Sequence, residues 1–257
     1  EDGIRDRDVT GVQTWLFRST LTQHEFPLPQ KLAPETLRVV ALGGIGEIGR
    51  NMTVLQYQKD ILIVDIGVLF PEENQPGVDL ILPDFSYLRD KLNLIKAIVL
   101  THAHEDHIGG VPYFLREAPN VPIYGSKLTL ALLAEKLKEH RIKADLRQVK
   151  EGDIEIIGEF QVNFIAVNHS IPDALALAVK SGAGTLIHTG DFKMDQLPLD
   201  GRITDLNTFA KLGNEGIDLA LVDSTNAEVP GFVPHEKDIA PVIETIISRA
   251  PKRVIVA

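Results

Sequence analysis

The chain has 257 residues, 44% of them hydrophobic and 24% charged, with 20 Gly, 15 Pro, no Cys and a formal net charge of −10. Such proportions exclude a disordered tail, a collagen-like repeat and a coiled coil, each of which needs a strong compositional bias. Without Cys there is no disulfide framework, no thiolate nucleophile and no Cys-based zinc site, so any metal must be held by His, Asp or Glu.

Glu1 to Pro34 has no sustained period and carries Pro27, Pro29 and Pro34, so it is read as an extension without a function. It mixes acidic and basic residues with only the short apolar patch Trp15-Leu16-Phe17, unlike a secretory leader. The sequence has no run of about 18 apolar residues to span a bilayer. No membrane association is expected, and the setting is expected to be cytoplasmic. The acidic balance disfavours broad phosphate binding but leaves a local nucleic-acid groove open.

From Leu37 the pattern turns to strands. Leu37 to Leu42 is a short β-rich run, and Met52 to Tyr57 and Ile61 to Asp65 predict two strands joined at Lys59-Asp60. The intervening Gly43-Gly44-Ile45-Gly46 offers only a weak strand–loop–helix context for a dinucleotide loop, because another strand soon follows, and reads as a tight loop. A short helix is predicted over Pro83 to Leu94, and Ala97 to Leu100 is a strand apolar on both faces. Helices follow at Gly109 to Glu117 and Lys127 to His140, with a short strand at Ile123-Tyr124 between them. The second helix places Leu128, Ala131, Leu132, Glu135, Leu137 and His140 for one apolar and one charged face. Phe160 to Val167, Leu175 to Lys180, Thr185 to His188 and Ile217 to Asp223 read as strands, and Lys237 to Arg249 as a helix. Strands punctuated by helices predict an α/β sandwich. The apolar run Arg253 to Ala257 predicts a further strand and a natural chain that continues beyond it.

The strongest chemical signal, Thr101-His102-Ala103-His104-Glu105-Asp106-His107-Ile108-Gly109-Gly110, directly follows the buried strand. In extended backbone, alternate residues share a face, so His102, His104 and Asp106 converge while His107 turns toward a neighbouring position. Imidazole suits zinc and carboxylate tolerates several divalent ions; together they fit a two-metal hydrolytic site. More ligands are expected at other strand ends. His169 follows Phe164 to Val167, and Asp191 follows Thr185 to Gly190. A carboxylate such as Asp191 can bridge two cations. Asp65, which closes its strand, is placed to orient a metal-bound His through the free ring N–H. His188, inside a strand, reads equally as a polar contributor or an ordinary hydrogen-bonded histidine.

At these residues the sequence resembles the metallo-beta-lactamase superfamily, whose first metal motif His-x-His-x-Asp-His is met by His102, His104, Asp106 and His107. More narrowly it resembles the bacterial ribonuclease J family of the beta-CASP branch. That resemblance is carried by Ala41 to Met52, by Glu105 and Ile108-Gly109-Gly110 around the metal motif, and by His169 to Asp173. His188 to Lys193 and Asp223-Ser224-Thr225-Asn226-Ala227-Glu228 also carry it. It runs from about Leu37 to Ala257 and leaves Glu1 to Pro34 outside.

The resemblance implies a four-layered αββα sandwich and a zinc-dependent ribonuclease with endonuclease and 5′→3′ exonuclease activity in RNA processing and decay. Residues 35–230 would be the metallo-beta-lactamase domain, and residues 231–257 the start of a beta-CASP domain that continues elsewhere. Of two Zn2+, or another divalent ion, one would be held by His102, His104, His169 and bridging Asp191. The other would be held by Asp106, His107 and Asp191, with Asp65 in support. Implied partners are RNA with a 5′-monophosphate, a second or further copies in a homodimer or tetramer, and RNA-decay proteins. A last metal-binding His, a His assisting the leaving group and the 5′-monophosphate pocket are expected beyond Ala257, so full activity is not assumed of the isolated chain. Two competing readings are a small-molecule hydrolase of the glyoxalase II or beta-lactamase type, and a metal-binding fragment without turnover.

Overall fold

A computed structural model describes residues 32–195, 197–231 and 235–255, together with the backbone of residues 12–16. Its strands pair into two sheets. The first contains, in spatial and chain order, β1 (Val12–Leu16), β2 (Leu37–Gly43), β3 (Met52–Tyr57), β4 (Asp60–Val64), β5 (Ile95–Val99), β6 (Ile123–Gly125) and β7 (Leu146–Gln148). The second is made of β8 (Ile154–Ile157), β9 (Phe160–Ala166), β10 (Leu175–Ser181), β11 (Gly184–His188) and β12 (Leu219–Leu221), with β12 and β8 at its edges. The helices are α1 (Glu105–Ile108), α2 (Val111–Phe114), α3 (Lys127–Glu139), α4 (Leu206–Glu215) and α5 (Ile239–Arg249).

Side-chain alternation sorts the apolar residues into three clusters, and the clusters define the layers. Along β5, Ala97 and Val99 face the core between the sheets with Leu55, Phe160, Phe164 and Leu177. Ile98, and Leu100 just beyond the strand, face the opposite way, where Phe114, Leu133 and Leu137 cover the first sheet. On the far side of the second sheet, Ile165, Ala176 and Ile187 pack against Leu212 of α4. The result is the αββα sandwich that the resemblance implies. It also explains why the sequence around β5 is a continuous apolar run: both of its faces are inside.

Strand direction decides where the polar residues at strand ends meet. β4 and β5 are parallel, so Asp65 and Thr101 leave the first sheet side by side. β9 and β11 each lie antiparallel to β10 and therefore run in the same direction. Their carboxyl ends deliver His169 and Asp191 to one rim of the sandwich.

Several elements differ from the sequence reading for identifiable reasons. The helix expected over Pro83 to Leu94 is two separate 3-10 turns, Phe85–Leu88 and Leu92–Leu94, the first capped by Asp84. The helix expected at Gly109 to Glu117 begins earlier, at Glu105, and is two short segments, α1 and α2. Helix α3 ends at Glu139 with His140 as its cap, and it buries Thr129, Leu130, Leu133 and Leu137. Its packing face is therefore rotated from the predicted one, leaving Leu132 44% exposed and Ala131 exposed. The run Ile217 to Asp223 pairs only over Leu219–Leu221, as an edge strand beside β11. The strand expected at Arg253 to Ala257 is absent from residues 253–255, while residues 256–257 lie outside the described residues. Four elements had no sequence assignment: β7, β8, α4, and the strand β1 within the extension, which pairs parallel to β2.

Phe114 is fully buried and meets Phe85 edge-on, with ring centroids 5.2 Å apart. Phe114→Ala is expected to lower unfolding stability by about 3–5 kcal/mol, because the cavity adds to the lost transfer energy. Urea denaturation checks this; a loss below about 1 kcal/mol would mean the helix layer repacks freely.

Candidate metal centre

The centre is assembled around a carboxylate with no access to water. Asp65 follows β4 in the left-handed backbone region (φ 59°), its N–H donates to the Val99 carbonyl at 3.0 Å, and it is 1% exposed. One oxygen accepts the Thr101 backbone N–H at 2.8 Å. The other accepts the Thr101 hydroxyl and His107 Nδ1, each at 2.8 Å. A carboxylate this buried is tolerable as an anion only with such donors.

This arrangement sets two histidine tautomers. With the Nδ1 proton held by Asp65, neutral His107 has a lone pair on Nε2. The Thr101 hydroxyl has one hydrogen, committed to Asp65, so its oxygen accepts from His102 Nδ1 at 3.0 Å. His102 is thereby also left with an Nε2 lone pair, and these protons are assigned from the hydrogen-bond network.

Both lone pairs point into a cluster of further donors. His102 Nε2 lies 3.0 Å from His104 Nδ1, which lies 3.1 Å from His169 Nε2. Asp191 places Oδ1 3.3 Å from His107 Nε2, and Oδ2 3.6 Å from His169 Nε2 and 4.0 Å from His102 Nε2. Two three-residue groups have ligand atoms within 4.8 Å of one another: His102, His104 and His169, and His102, His107 and Asp191. For zinc with bonds of 2.0–2.1 Å, ligand atoms at tetrahedral corners stand roughly 3.3 Å apart. The measured separations bracket that spacing, and uncharged ring nitrogens facing one another need a cation or a shared proton between them. The donor set fits divalent metal binding.

Electrostatics point the same way. Burial and the neighbouring imidazoles hold His102 far below the usual histidine range, and burial lowers His169 as well. Burial also opposes charge on His107, but Asp65 and Asp191 outweigh it and push it up to about 10. Burial would raise Asp191, yet the hydrogen bond and charge of His107 hold it below the ordinary carboxylate range. The extra proton of His107 thus sits between carboxylates, where a cation at Nε2 would replace it.

The seven residues singled out in the sequence therefore occupy one rim. His102, His104, His107, His169 and Asp191 supply the clustered ligand atoms, and Asp65 stands behind His107 and Thr101. Asp106 stands at the edge, with Oδ2 3.6 Å from His107 Nε2 and outside both three-residue groups. Asn51 was not given a role in the sequence reading, yet its Nδ2 donates to the Asp106 carbonyl at 3.1 Å and to Oδ2 at 3.3 Å, and lies 3.1 Å from His107 Nε2. Gly67 likewise has no marker in the sequence pattern; a Cβ there would stand 1.5 Å from the Asp106 carbonyl oxygen, so this backbone approach admits no side chain. Thr101 sat inside the quoted motif, but its hydroxyl geometry could not be read from spacing. Asp223 ties two loops together, accepting the backbone N–H groups of Phe192 and Thr225 at 3.3 and 2.8 Å. His188, buried enough for its pKa to be lowered, accepts the Gly190 N–H on Nδ1 at 3.1 Å. A cavity of about 620 Å³ opens beside the cluster, lined by Ile45, Ile48, His107, His188, Asp191 and Asp223 among others.

Comparison with known proteins agrees with this geometry. Residues 45–229 match the family model described as the metallo-beta-lactamase superfamily. The chain is 54% identical over 233 residues to ribonuclease J of Mycobacterium tuberculosis, covering 91% of this chain and 42% of that protein. It is 44% identical over 229 residues to ribonuclease J of Thermus thermophilus (86% and 40% covered) and 43% identical over 230 residues to ribonuclease J2 of Bacillus subtilis (89% and 41%). The chain thus spans about two fifths of the length of these relatives. A solved structure of a protein of unknown function from Enterococcus faecalis shares the fold, with a TM-score of 0.58 at 19% identity, covering 82% of this chain and 57% of that one.

Asp65→Asn keeps the side-chain shape, and Asn tolerates the left-handed backbone. It removes the charge that holds the His107 proton. Divalent-metal affinity, measured by chelator competition on the folded variant, is expected to fall roughly 10–100-fold. An unchanged affinity would show that Asp65 serves the fold alone.

Proposed function

The chain belongs to the metallo-beta-lactamase superfamily, and on that premise we propose that it carries the hydrolytic centre of a metal-dependent ribonuclease. One observation carries the reading: His102, His104, His107, His169 and Asp191, drawn from both sheets, aim their ligand atoms into one cluster beside an open cavity. The identities to ribonuclease J proteins support RNA as the substrate over other esters.

In this reading His102, His104, His169 and Asp191 hold one divalent ion, and Asp106, His107 and Asp191 hold a second. With zinc or a similar ion bound, the site supplies a water nucleophile of lowered pKa and neutralises charge developing on the phosphate. The chain's own residues prepare for this. Asp65 keeps the Nδ1 proton of His107 and so keeps Nε2 available as a ligand atom. Thr101 does the same for His102 by accepting its Nδ1 proton. Asn51, donating to the Asp106 backbone carbonyl and to its Oδ2, orients the carboxylate toward His107. The cavity beside Asp191 receives the phosphodiester, and its wall at Ile45 and Ile48, 53% and 75% exposed, gives the nucleotide an apolar surface.

Endonuclease and 5′→3′ exonuclease action on 5′-monophosphorylated RNA, homo-oligomer formation, RNA-decay partners and a cytoplasmic setting belong to the same proposal. So does the division into a hydrolase domain over residues 35–230 and the opening of a beta-CASP domain over residues 231–257. Among the described residues, no helix is long and apolar enough to cross a membrane.

Elemental analysis of the zinc-loaded chain should find about two ions, reduced in Asp191→Ala, because the carboxylate serves both positions. Cleavage of a 5′-monophosphorylated RNA, compared with a thioester and a β-lactam, should favour the RNA in the protein extended past residue 257. Thioester or lactam turnover without RNA cleavage would overturn the assignment.

A further inference from the structure

His188 occupies a position that packing alone would fill with an apolar residue. Along β11, Leu186 faces the core between the sheets and Ile187 faces the α4 layer, so His188 returns to the inter-sheet side. Its cross-strand neighbours are Leu177 on β10 and Leu221 on β12, both part of that core or packed against it. An imidazole in such a row is unfavourable unless its nitrogens are used.

One nitrogen is used within the fold. Nδ1 accepts the Gly190 N–H at 3.1 Å, so it carries no proton, and the neutral ring keeps its proton on Nε2. Among the described residues Nε2 has no hydrogen-bond partner, and the atom is not sealed from solvent. His188 lines the same cavity as His107 and Asp191. A fixed donor is thus presented to that cavity from the second sheet, and among the described residues no side chain accepts a hydrogen bond from it.

We propose that His188 is a substrate-contacting residue whose Nε2–H donates to a non-bridging oxygen of a phosphodiester seated at the metal centre; this rests on the phosphodiester reading above. A neutral donor suits the position. A lysine or arginine there would place a full positive charge beside the cations, whereas an imidazole locked in this tautomer adds a hydrogen bond to the anion without that repulsion. The Gly190 contact also couples the donor to the Asp191 loop, since Gly190 immediately precedes Asp191.

Inorganic phosphate titrated into the cobalt(II)-loaded chain, followed by the visible absorption of the metal, tests this without turnover. His188→Phe keeps the ring shape and removes the donor, and phosphate affinity is expected to fall roughly tenfold. His188→Gln restores an N–H near the Nε2 position and should recover most of that loss, with metal content and Tm alike in all three proteins. Equal affinity in wild type and His188→Phe overturns the inference and leaves the metal-centre reading standing, as does a His188→Gln loss as large as that of Phe. Metal uptake by wild type with no phosphate binding removes both. If His188→Phe does not fold, imidazole nitrogen NMR of the zinc-loaded wild type decides. An Nε2–H resonance of His188 that moves on adding phosphate supports the contact, and a proton on Nδ1 or an unmoved resonance refutes it.

Discussion

The Asp65 carboxylate is the interaction on which the centre depends. It is sealed from water, accepts three hydrogen bonds, and through them dictates which nitrogen of two histidines is left available. The direction of dependence matters. His107 and His102 could each adopt either tautomer in isolation, and only a buried anion with Thr101 as intermediary selects the pair with Nε2 directed at the cluster. The strained backbone of Asp65 follows from the same demand: the chain must turn sharply after β4 to bring the carboxylate under Thr101 rather than into solvent.

Close backbone packing supports this electrostatic arrangement. The Asn51 carbonyl accepts the Gly67 N–H at 2.9 Å while the Asn51 N–H donates to the Asp106 carbonyl at 2.9 Å, so two loops and helix α1 interlock beneath the candidate ligand atoms. Above them, Glu47 braces the glycine-rich loop, its carboxylate accepting from Arg50 Nε and Nη2 at 2.7 and 2.9 Å and from the Gly44 N–H at 3.3 Å. The loop that carries Ile45 and Ile48 over the cavity is therefore held from within, although those two side chains are open to solvent.

Much of the rim was legible because its residues break strong patterns. Apolar runs ending in Asp65, in the His102 to His107 cluster and near His169 and Asp191 announce both a buried strand and a polar terminus. Where burial is partial, the signal fades. In β8 Ile154 and Ile156 are 55% and 68% exposed, so its alternation does not mark a buried face, and α4 spaces Leu206, Phe209 and Leu212 at helical intervals but is only ten residues long and buries Leu212 alone. The packing face of α3 is not fixed by its sequence alone, because neighbouring leucines offer several stripes of similar apolarity and the buried one includes Thr129. Asn51 and Gly67 owe their roles to contacts with Asp106, 55 and 39 positions away in the chain, and no local pattern encodes such a contact.

The common direction of β9 and β11 has a thermodynamic consequence. His102, His104 and His107 come from the first sheet, whereas His169 and Asp191 come from the second, so a cation bound among them joins the two halves of the sandwich. Neither sheet alone presents the whole ligand set. Occupancy of such a site would be linked to the docking of one sheet on the other, making free-ion concentration a variable of fold stability. In an unfolded or half-assembled chain the candidate ligand residues are scattered over some ninety residues, and an ion bound among them would act as a late staple that rewards only the completed interface.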